Sequence, residues 1–410
     1  MAQQAAQRSA EARAAPDVST LLSRARELAP LIGAEAAASE AKGKLTDKVV
    51  AALAGTGFFG LWIPRCYGGA EAGPVEALEV IEALSYADGS TGWVVMATQV
   101  AAGTAAAYLP RSAADAIFGE RIPVFAGVGA PRGRADPVAG GYRLSGDWSY
   151  GSGILHAEFI HTGVMIFENG APRKLPGSQA LDSRIFIVPV SDARLLGNWD
   201  VMGLRATGSV DYDVKDVFVA EDWTHLQSQR EPRQGGSVYR LGIQGLGGIC
   251  HSAFALGTAR RALDELAALA RAEAGRPQLL PERGGGESFR EKFGHAEAQF
   301  RSARAFVVEA LRDVEASLAK GDDISVRQFT LMRLALNHLT SVAGEVCAFT
   351  FKYGGGIALR DGVLQRCFRD MCAGMQHITT GPGILRECGL ELLGVTQGKI
   401  WGPRGLIDPP

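Results

Sequence analysis

The sequence predicts an α+β chain in three parts: an N-terminal helical domain, a middle β-barrel or sandwich domain, and a C-terminal four-helix bundle. Strand-like text is confined to one stretch. There Tyr142, Leu144 and Trp148 share a face, 164–167 and 185–190 are compact apolar runs, and Tyr212, Val214, Val217 and Val219 form two short alternating runs. On both sides of it apolar residues recur at helical spacing. A third observation is length, because 410 residues suffice for two or three filled cores. The expected boundaries are a tail (1–16), the helical domain (17–121), the β domain (122–226), the bundle (227–400) and a second tail (401–410).

Over 17–53, Ala, Leu, Glu and Arg dominate, with Pro16 and Asp17 as a start signal and Leu21, Ala25, Leu28 and Ile32 on one face. Pro30 is expected to kink or restart that helix. Gly55-Thr-Gly57 stops the next one, an apolar strap (58–64) crosses the core, and 66–69 turns. A helix from Pro74 ends near Asp88-Gly89. Ser90 is expected to cap its successor, which carries Trp93, Met96, Val100 and Ala101 inward.

In the β region Gly140-Gly141 and Gly146-Asp147 read as turns. Gly127-x-Gly129 is a fragment of a dinucleotide fingerprint, but Pro131 and Gly133 stand where a helix should begin, so that reading is rejected. A polar connection (227–236) leads to the second helical region. Ala259, Ala262, Leu263, Leu266 and Leu269 make one stripe; Ala303, Phe306, Val307, Ala310, Leu311 and Val314 make another. Between them, 271–287 reads as a loop because of Pro277, Pro281 and Gly284-Gly-Gly286. The stretch 326–350 is apolar on more than one face, as for a helix between neighbours or at a subunit contact. Tyr353-Gly-Gly-Gly356 breaks it, 362–386 leads into the last helix, and 402–410 should be extended.

Composition excludes several functions. Lys+Arg 42 against Asp+Glu 44 gives a formal charge of -2, and no basic run is interleaved with aromatics, so neither nucleic acid nor anionic lipid is expected as a partner. The runs 49–64 and 94–109 are too short and interrupted to span a bilayer. The segment 1–16 lacks the apolar core of a secretory signal. Six cysteines without a Cys-x-x-Cys pair fit reduced thiols in a cytoplasmic protein. His156 and His161, five apart in an expected strand, would face opposite ways, so no metal site is expected.

Several motifs in this order resemble the acyl-CoA dehydrogenase fold superfamily over nearly the whole chain. They are Gly57-Phe-Phe-Gly-Leu-Trp-Ile-Pro with Tyr67-Gly-Gly69, Asp88-Gly-Ser-Thr-Gly-Trp93, and Gly146-Asp-Trp148 with Ser152-Gly153. Then come Trp199-Asp-x-x-Gly203-x-Arg205-x-Thr207-x-Ser209, Arg290-x-x-Phe293-Gly294, Tyr353-Gly-Gly355 and Arg369-Asp370. The resemblance implies a dimer or tetramer that binds flavin between the β domain and the bundle.

A dehydrogenase of that superfamily needs a carboxylate to take an acyl thioester's α-proton. The resemblance puts it shortly after Arg369-Asp370 or early in the helix containing Gly247. This chain has no acid between Asp370 and Glu387, and none between Glu231 and Asp264. It offers His377 at the first place. That resembles the other branch, the oxygenase components of two-component flavin-dependent monooxygenases. Members of that branch act on 4-hydroxyphenylacetate, indole-acetic acid, dibenzothiophene, steroid phenols or amino sugars.

The resemblance then implies reduced flavin (FMN or FAD) from a separate NAD(P)H:flavin reductase, and O2 as co-substrate through a C4a-hydroperoxide. A small aromatic or heteroaromatic substrate and a homotetramer are expected. Catalysis is expected from His377 and Ser152, the latter as a hydroxyl near flavin N5. Trp148 is expected to wall the ring, with Gly153, Trp199, Arg205, Thr207 and Ser209 around the flavin. Arg290, Phe293 and the amides of Gly354 and Gly355 are expected at its phosphate. Trp93, Met96, Gln99 and His377 are expected around the substrate. One departure is plain: the helix after Gly-Ser-Thr-x-Trp lacks the second His of several relatives. The alternatives are an FAD-dependent acyl-CoA dehydrogenase with a non-standard base, and a non-catalytic oligomeric binding protein.

Overall fold

A computed structural model describes residues 17–273, 286–402 and 405–408. Helix α1 (Val18–Lys42) starts at Asp17, whose side chain accepts from Ser19 N, and ends at Gly43 in the left-handed region. It runs through Pro30, so the break falls thirteen residues later than the expected kink. One missing N–H is tolerated because Leu21, Ala25, Ile32 and Ala36 pin the helix on both sides of it. After α2 (Asp47–Thr56), the strap is a buried 3-10 turn followed by Leu61, Trp62 and Ile63, all fully covered.

Helix α3 (Pro74–Ala87) is followed directly by α4 (Gly89–Tyr108). The cap of α4 is Asp88, whose Oδ2 accepts from Thr91 N at 2.8 Å, and not Ser90 as expected. Ser90 is itself buried inside the first turn. Nearly every side chain of α4 is buried, which its small residues permit. A Cβ at Gly92 would stand 2.0 Å from Ser85 Oγ. Helix α5 (Arg111–Phe118) closes the first helical set.

Strands β1 (Phe125–Val138), β2 (Gly141–Trp148), β3 (Phe159–Glu168), β4 (Ala171–Pro172), β5 (Ser183–Pro189), β6 (Arg194–Leu195), β7 (Tyr212–Ala220) and β8 (Thr224–Leu226) form one mixed sheet. Its order is β6-β7-β2-β1-β3-β5-β8, with β4 paired to β3; β1 and β3 are parallel and the other pairs antiparallel. Gly140 turns the first hairpin. Gly146-Asp147 is no turn: it lies inside β2 at a register irregularity, where a Cβ on Gly146 would stand 2.7 Å from the Trp148 ring. The two runs read after Tyr212 are one strand, bent at Asp216, which has positive φ. His156 ends a 3-10 turn, and only His161 lies on a strand. Phe125, Ile185 and Ile187 pack with Ala101, Ala105 and Leu109 of α4, joining sheet and helices.

Helices α6 (Gly242–Glu273), α7 (Glu287–Ala319), α8 (Val326–Gly354), α9 (Val363–Gly374) and α10 (Pro382–Leu392) form the C-terminal helical part. Residues 271–273 are helical rather than loop and Glu287 already begins α7; 274–285 of that expected loop, and the tail 1–16, lie outside the described residues. The C-terminal stretch is more than extended chain. Strand β9 (Ile400–Trp401) pairs with β10 (Leu406–Ile407), and the buried Trp401 donates to Thr330 Oγ1 at 2.8 Å. No helix among the described residues is long and apolar enough to cross a membrane.

Candidate active site

Three helices and two loops converge where α4 faces the sheet. From α4 comes Trp93, whose Nε1–H donates to Ser152 Oγ at 3.0 Å. Ser152 stands in the turn after β2, where Gly153 adopts φ +79 and its N–H donates to Thr207 O. Ser152 Oγ lies 2.8 Å from Ser209 Oγ, and Ser209 Oγ lies 2.6 Å from Thr207 Oγ1. Thr207 Oγ1 donates to the carbonyl of Leu204 at 2.8 Å.

That last bond fixes the direction of the chain, because a carbonyl cannot donate. Thr207 has spent its hydrogen on Leu204, so Ser209 must donate to Thr207. Ser152 must then donate to Ser209. Ser152 receives Trp93's hydrogen and keeps one lone pair, with no hydrogen left to offer.

The loop that carries Thr207 and Ser209 is clamped to α9. Leu204 N donates to Asp370 Oδ1 at 2.6 Å, Trp199 Nε1 donates to Leu204 O at 3.2 Å, and a Cβ on Gly203 would stand 1.9 Å from Arg369 O. Asp370 is fully buried, and its pKa is held up to about 8 by burial first and by Asp88 next. Folded Asp370 therefore keeps its proton where an unfolded one has lost it. Stability from this group is full below the unfolded value, falls as pH rises from about 4 to about 8, and levels off beyond. Asp370→Asn keeps the acceptor for Leu204 and removes the titration. Its thermal midpoint should fall less than the wild type's between pH 5 and pH 8.

From the other side α9 ends at Gly374, where a Cβ would stand 2.3 Å from the Phe254 ring and 3.2 Å from Trp93. His377 follows, its Nδ1 2.9 Å from Thr379 Oγ1. Its ring has accessible surface, yet desolvation by surrounding protein takes its pKa down to about 4. His377 stands on the exposed side of the site.

Beside it stands a residue that reading the sequence did not single out. His251 of α6 lies with its ring centroid 4.0 Å from that of His377, and 5.1 Å from that of Trp93. It is buried, and desolvation holds its pKa well below the ordinary histidine value. His251 falls in the very window searched for an acid, but nothing local marks it there.

Trp93, Ser152, Gly153, Thr207, Ser209 and His377 thus come together, with Trp199 supporting from behind. Met96 is buried one turn along α4, its carbonyl accepting from Cys250 Sγ at 3.6 Å. Other expectations need correcting. Trp148 does not face the site: it is 1% exposed, stacks on Tyr212 at 5.3 Å and donates Nε1–H to Gly163 O, because its strand face is the sheet's own core. Gln99 is fully buried, and its Oε1 accepts from Trp62 N, so it ties α4 to the strap. Arg205 points to solvent.

Arg290, Phe293, Gly354 and Gly355 gather elsewhere, where α7 begins and α8 ends. Arg290 is exposed, and Phe293 packs with Phe289 and Phe349 beside Tyr353. Leu266 of α6 packs in that same cluster. Fifteen residues along α6 from His251, this is about 22 Å from the imidazoles.

Residues 4–111 match the family model for the acyl-CoA dehydrogenase N-terminal domain, and 249–382 match that for the C-terminal domain. The chain is 32% identical over 355 residues to an indole-3-acetate monooxygenase of Pseudomonas putida, covering 85% of this chain and 87% of that protein. It is 27% identical to a flavin-dependent monooxygenase, oxygenase subunit HsaA, of Rhodococcus jostii, covering 87% and 93%. The crystal structure of a 3-HSA hydroxylase from Rhodococcus sp. superposes with a TM-score of 0.85 at 26% identity, covering 92% and 97%. The fold, the two family matches and these relatives agree: the chain belongs to the acyl-CoA dehydrogenase family and, within it, to the flavin-dependent monooxygenases.

Proposed function

We propose that the chain is the oxygenase partner of a separate NAD(P)H:flavin reductase and hydroxylates a small aromatic or heteroaromatic ring with reduced flavin (FMN or FAD) and O2. The observation that carries this reading is that imidazoles occupy the place where a thioester dehydrogenase needs a carboxylate. The acid nearest in sequence, Asp370, is buried and turned to Leu204 N.

When bound, reduced flavin supplies two electrons, so that one atom of O2 leaves as water and the other enters the substrate. The fixed polarity of the hydroxyl chain fits that redox state. Ser152 can only accept, and a reduced isoalloxazine carries an N5–H donor that the oxidised ring lacks. His377, whose Nδ1 accepts from Thr379 N, leaves Nε2–H as the place for proton exchange with the substrate, beside the buried Trp93 and Phe254. Arg290, Phe293, Gly354 and Gly355, about 22 Å along α6 from the imidazoles, lie beyond reach of that flavin's phosphate within one chain. The indole-3-acetate and HsaA relatives support an aromatic substrate.

The test uses a generic flavin reductase, NAD(P)H and heavy-isotope O2, with indole and phenol as trial substrates. One labelled oxygen in the product is expected; label-free product or none contradicts the reading. Removing Ser209 tests the polarity. Ser209→Ala frees Ser152's hydrogen for donation, so the preference for reduced over oxidised flavin should fall by about tenfold in equilibrium dialysis.

A homo-oligomer, expected as a tetramer, is supported by the exposed Ile357, Leu359, Leu393 and Val395 on the bundle. Light scattering at the monomer mass would oppose it.

A further inference from the structure

His251 is the one histidine of the site that neither the hydroxyl chain nor the His377 contact with Thr379 accounts for. It is 8% exposed, and among the described residues no hydrogen bond is made by either of its ring nitrogens. A side chain more than nine-tenths buried normally finds a polar partner. This one instead stands in ring contact with His377, at 4.0 Å between centroids and tilted by 33°. Trp93 meets both rings edge-on, at 65° and 74°. Phe254, one turn further along α6, meets Trp93 at 4.9 Å and 89°.

The two imidazoles and the rings of Trp93 and Phe254 therefore form one cluster, with His377 on its exposed side. The charge environment is equally specific. Burial lowers the pKa of both rings, His377 adds to the effect on His251, and no carboxylate or guanidinium biases either one. Two imidazoles in contact are not both charged. A neutral imidazole has one accepting nitrogen; that of His377 takes the Thr379 N–H, so His251 supplies the free acceptor beside the indole of Trp93.

We propose that His251 is a specificity-determining residue: its accepting nitrogen, beside His377 and Trp93, selects an aromatic ring bearing an O–H or N–H donor. The inference rests on the proposed oxygenase reading and adds to it a second contact on the substrate. The accepting nitrogen of His251, without a protein partner, gains one from such a ligand, and a ring that cannot donate covers it and leaves it unpaired. That asymmetry is what makes a polar pocket discriminate.

The experiment is anaerobic, so that no turnover occurs. Protein loaded with reduced flavin is titrated with two matched pairs, indole against 1-methylindole and phenol against anisole. The wild type should bind each donor about tenfold more tightly than its methylated partner. His251→Phe keeps the aromatic packing against Trp93 but has no acceptor, and should bring the two members of each pair to within about twofold. His251→Asn loses the ring but keeps an acceptor, and should retain most of the discrimination. Unchanged discrimination in His251→Phe overturns the proposal, as does a wild type with no preference. Equal loss in His251→Phe and His251→Asn assigns the residue to packing and overturns it too. If reduced flavin binds and these titrations fail, only the role of His251 falls. If reduced flavin does not bind at all, the oxygenase reading beneath it falls.

Discussion

His377→Ala should separate oxygen consumption from product formation. The variant keeps the hydroxyl chain from Trp93 to Leu204, so it should still take up reduced flavin and consume O2. It lacks the imidazole that exchanges a proton with the substrate. Such a group contributes a factor of about a hundred or more to a proton-transfer step. Product should therefore fall by about a hundredfold while oxygen uptake stays within about threefold, the balance leaving as hydrogen peroxide. An oxygen electrode read together with product chromatography measures both. Product yield at the wild-type level would remove His377 from the chemistry.

Gly203→Ala should be the most damaging single methyl in the chain. Its Cβ would meet the Arg369 carbonyl at 1.9 Å, and the contact is backbone on both sides, so neither partner can rotate away. To relieve it, the loop must lift from α9 and give up the Leu204 N–H bond to Asp370. Overpacking of this kind costs about 3 kcal/mol. The thermal midpoint should drop by several degrees, and reduced-flavin affinity should drop with it, because Thr207 and Ser209 ride on the same loop. A variant with lowered stability but intact affinity would show that the loop reforms, and would weaken the link drawn between clamp and site.

The pattern of helices, then strands, then helices was legible because each period runs over long segments and the β text is confined to one stretch. Trp93, Ser152, Thr207, Ser209 and His377 were legible because they sit in short motifs at loops and helix ends, where local chemistry shows. His251 was not. Its role comes from α6 passing α4 and the end of α9, a crossing that no local pattern encodes, and within α6 it reads as one polar residue on a buried helix. Trp148 and Gln99 misled for the opposite reason. Alternation shows that Trp148 is inward but not which side of the sheet is inward, and its stacking on Tyr212 settles that. Gln99 is polar in an otherwise apolar helix, which looks functional until its partner proves to be the Trp62 backbone. Pro30 failed as a breaker because packing on both sides outweighs one lost hydrogen bond.

The claim on which the rest depends is that this pocket is built for reduced flavin and has no base for a thioester. Equilibrium binding of flavin to the purified protein, first reduced under anaerobic conditions and then oxidised, tests it most directly. The account predicts reduced flavin bound at least about tenfold more tightly than oxidised, and no spectral response to any acyl-CoA. Oxidised flavin bound as tightly or more so, and bleached on addition of an acyl-CoA, would contradict it.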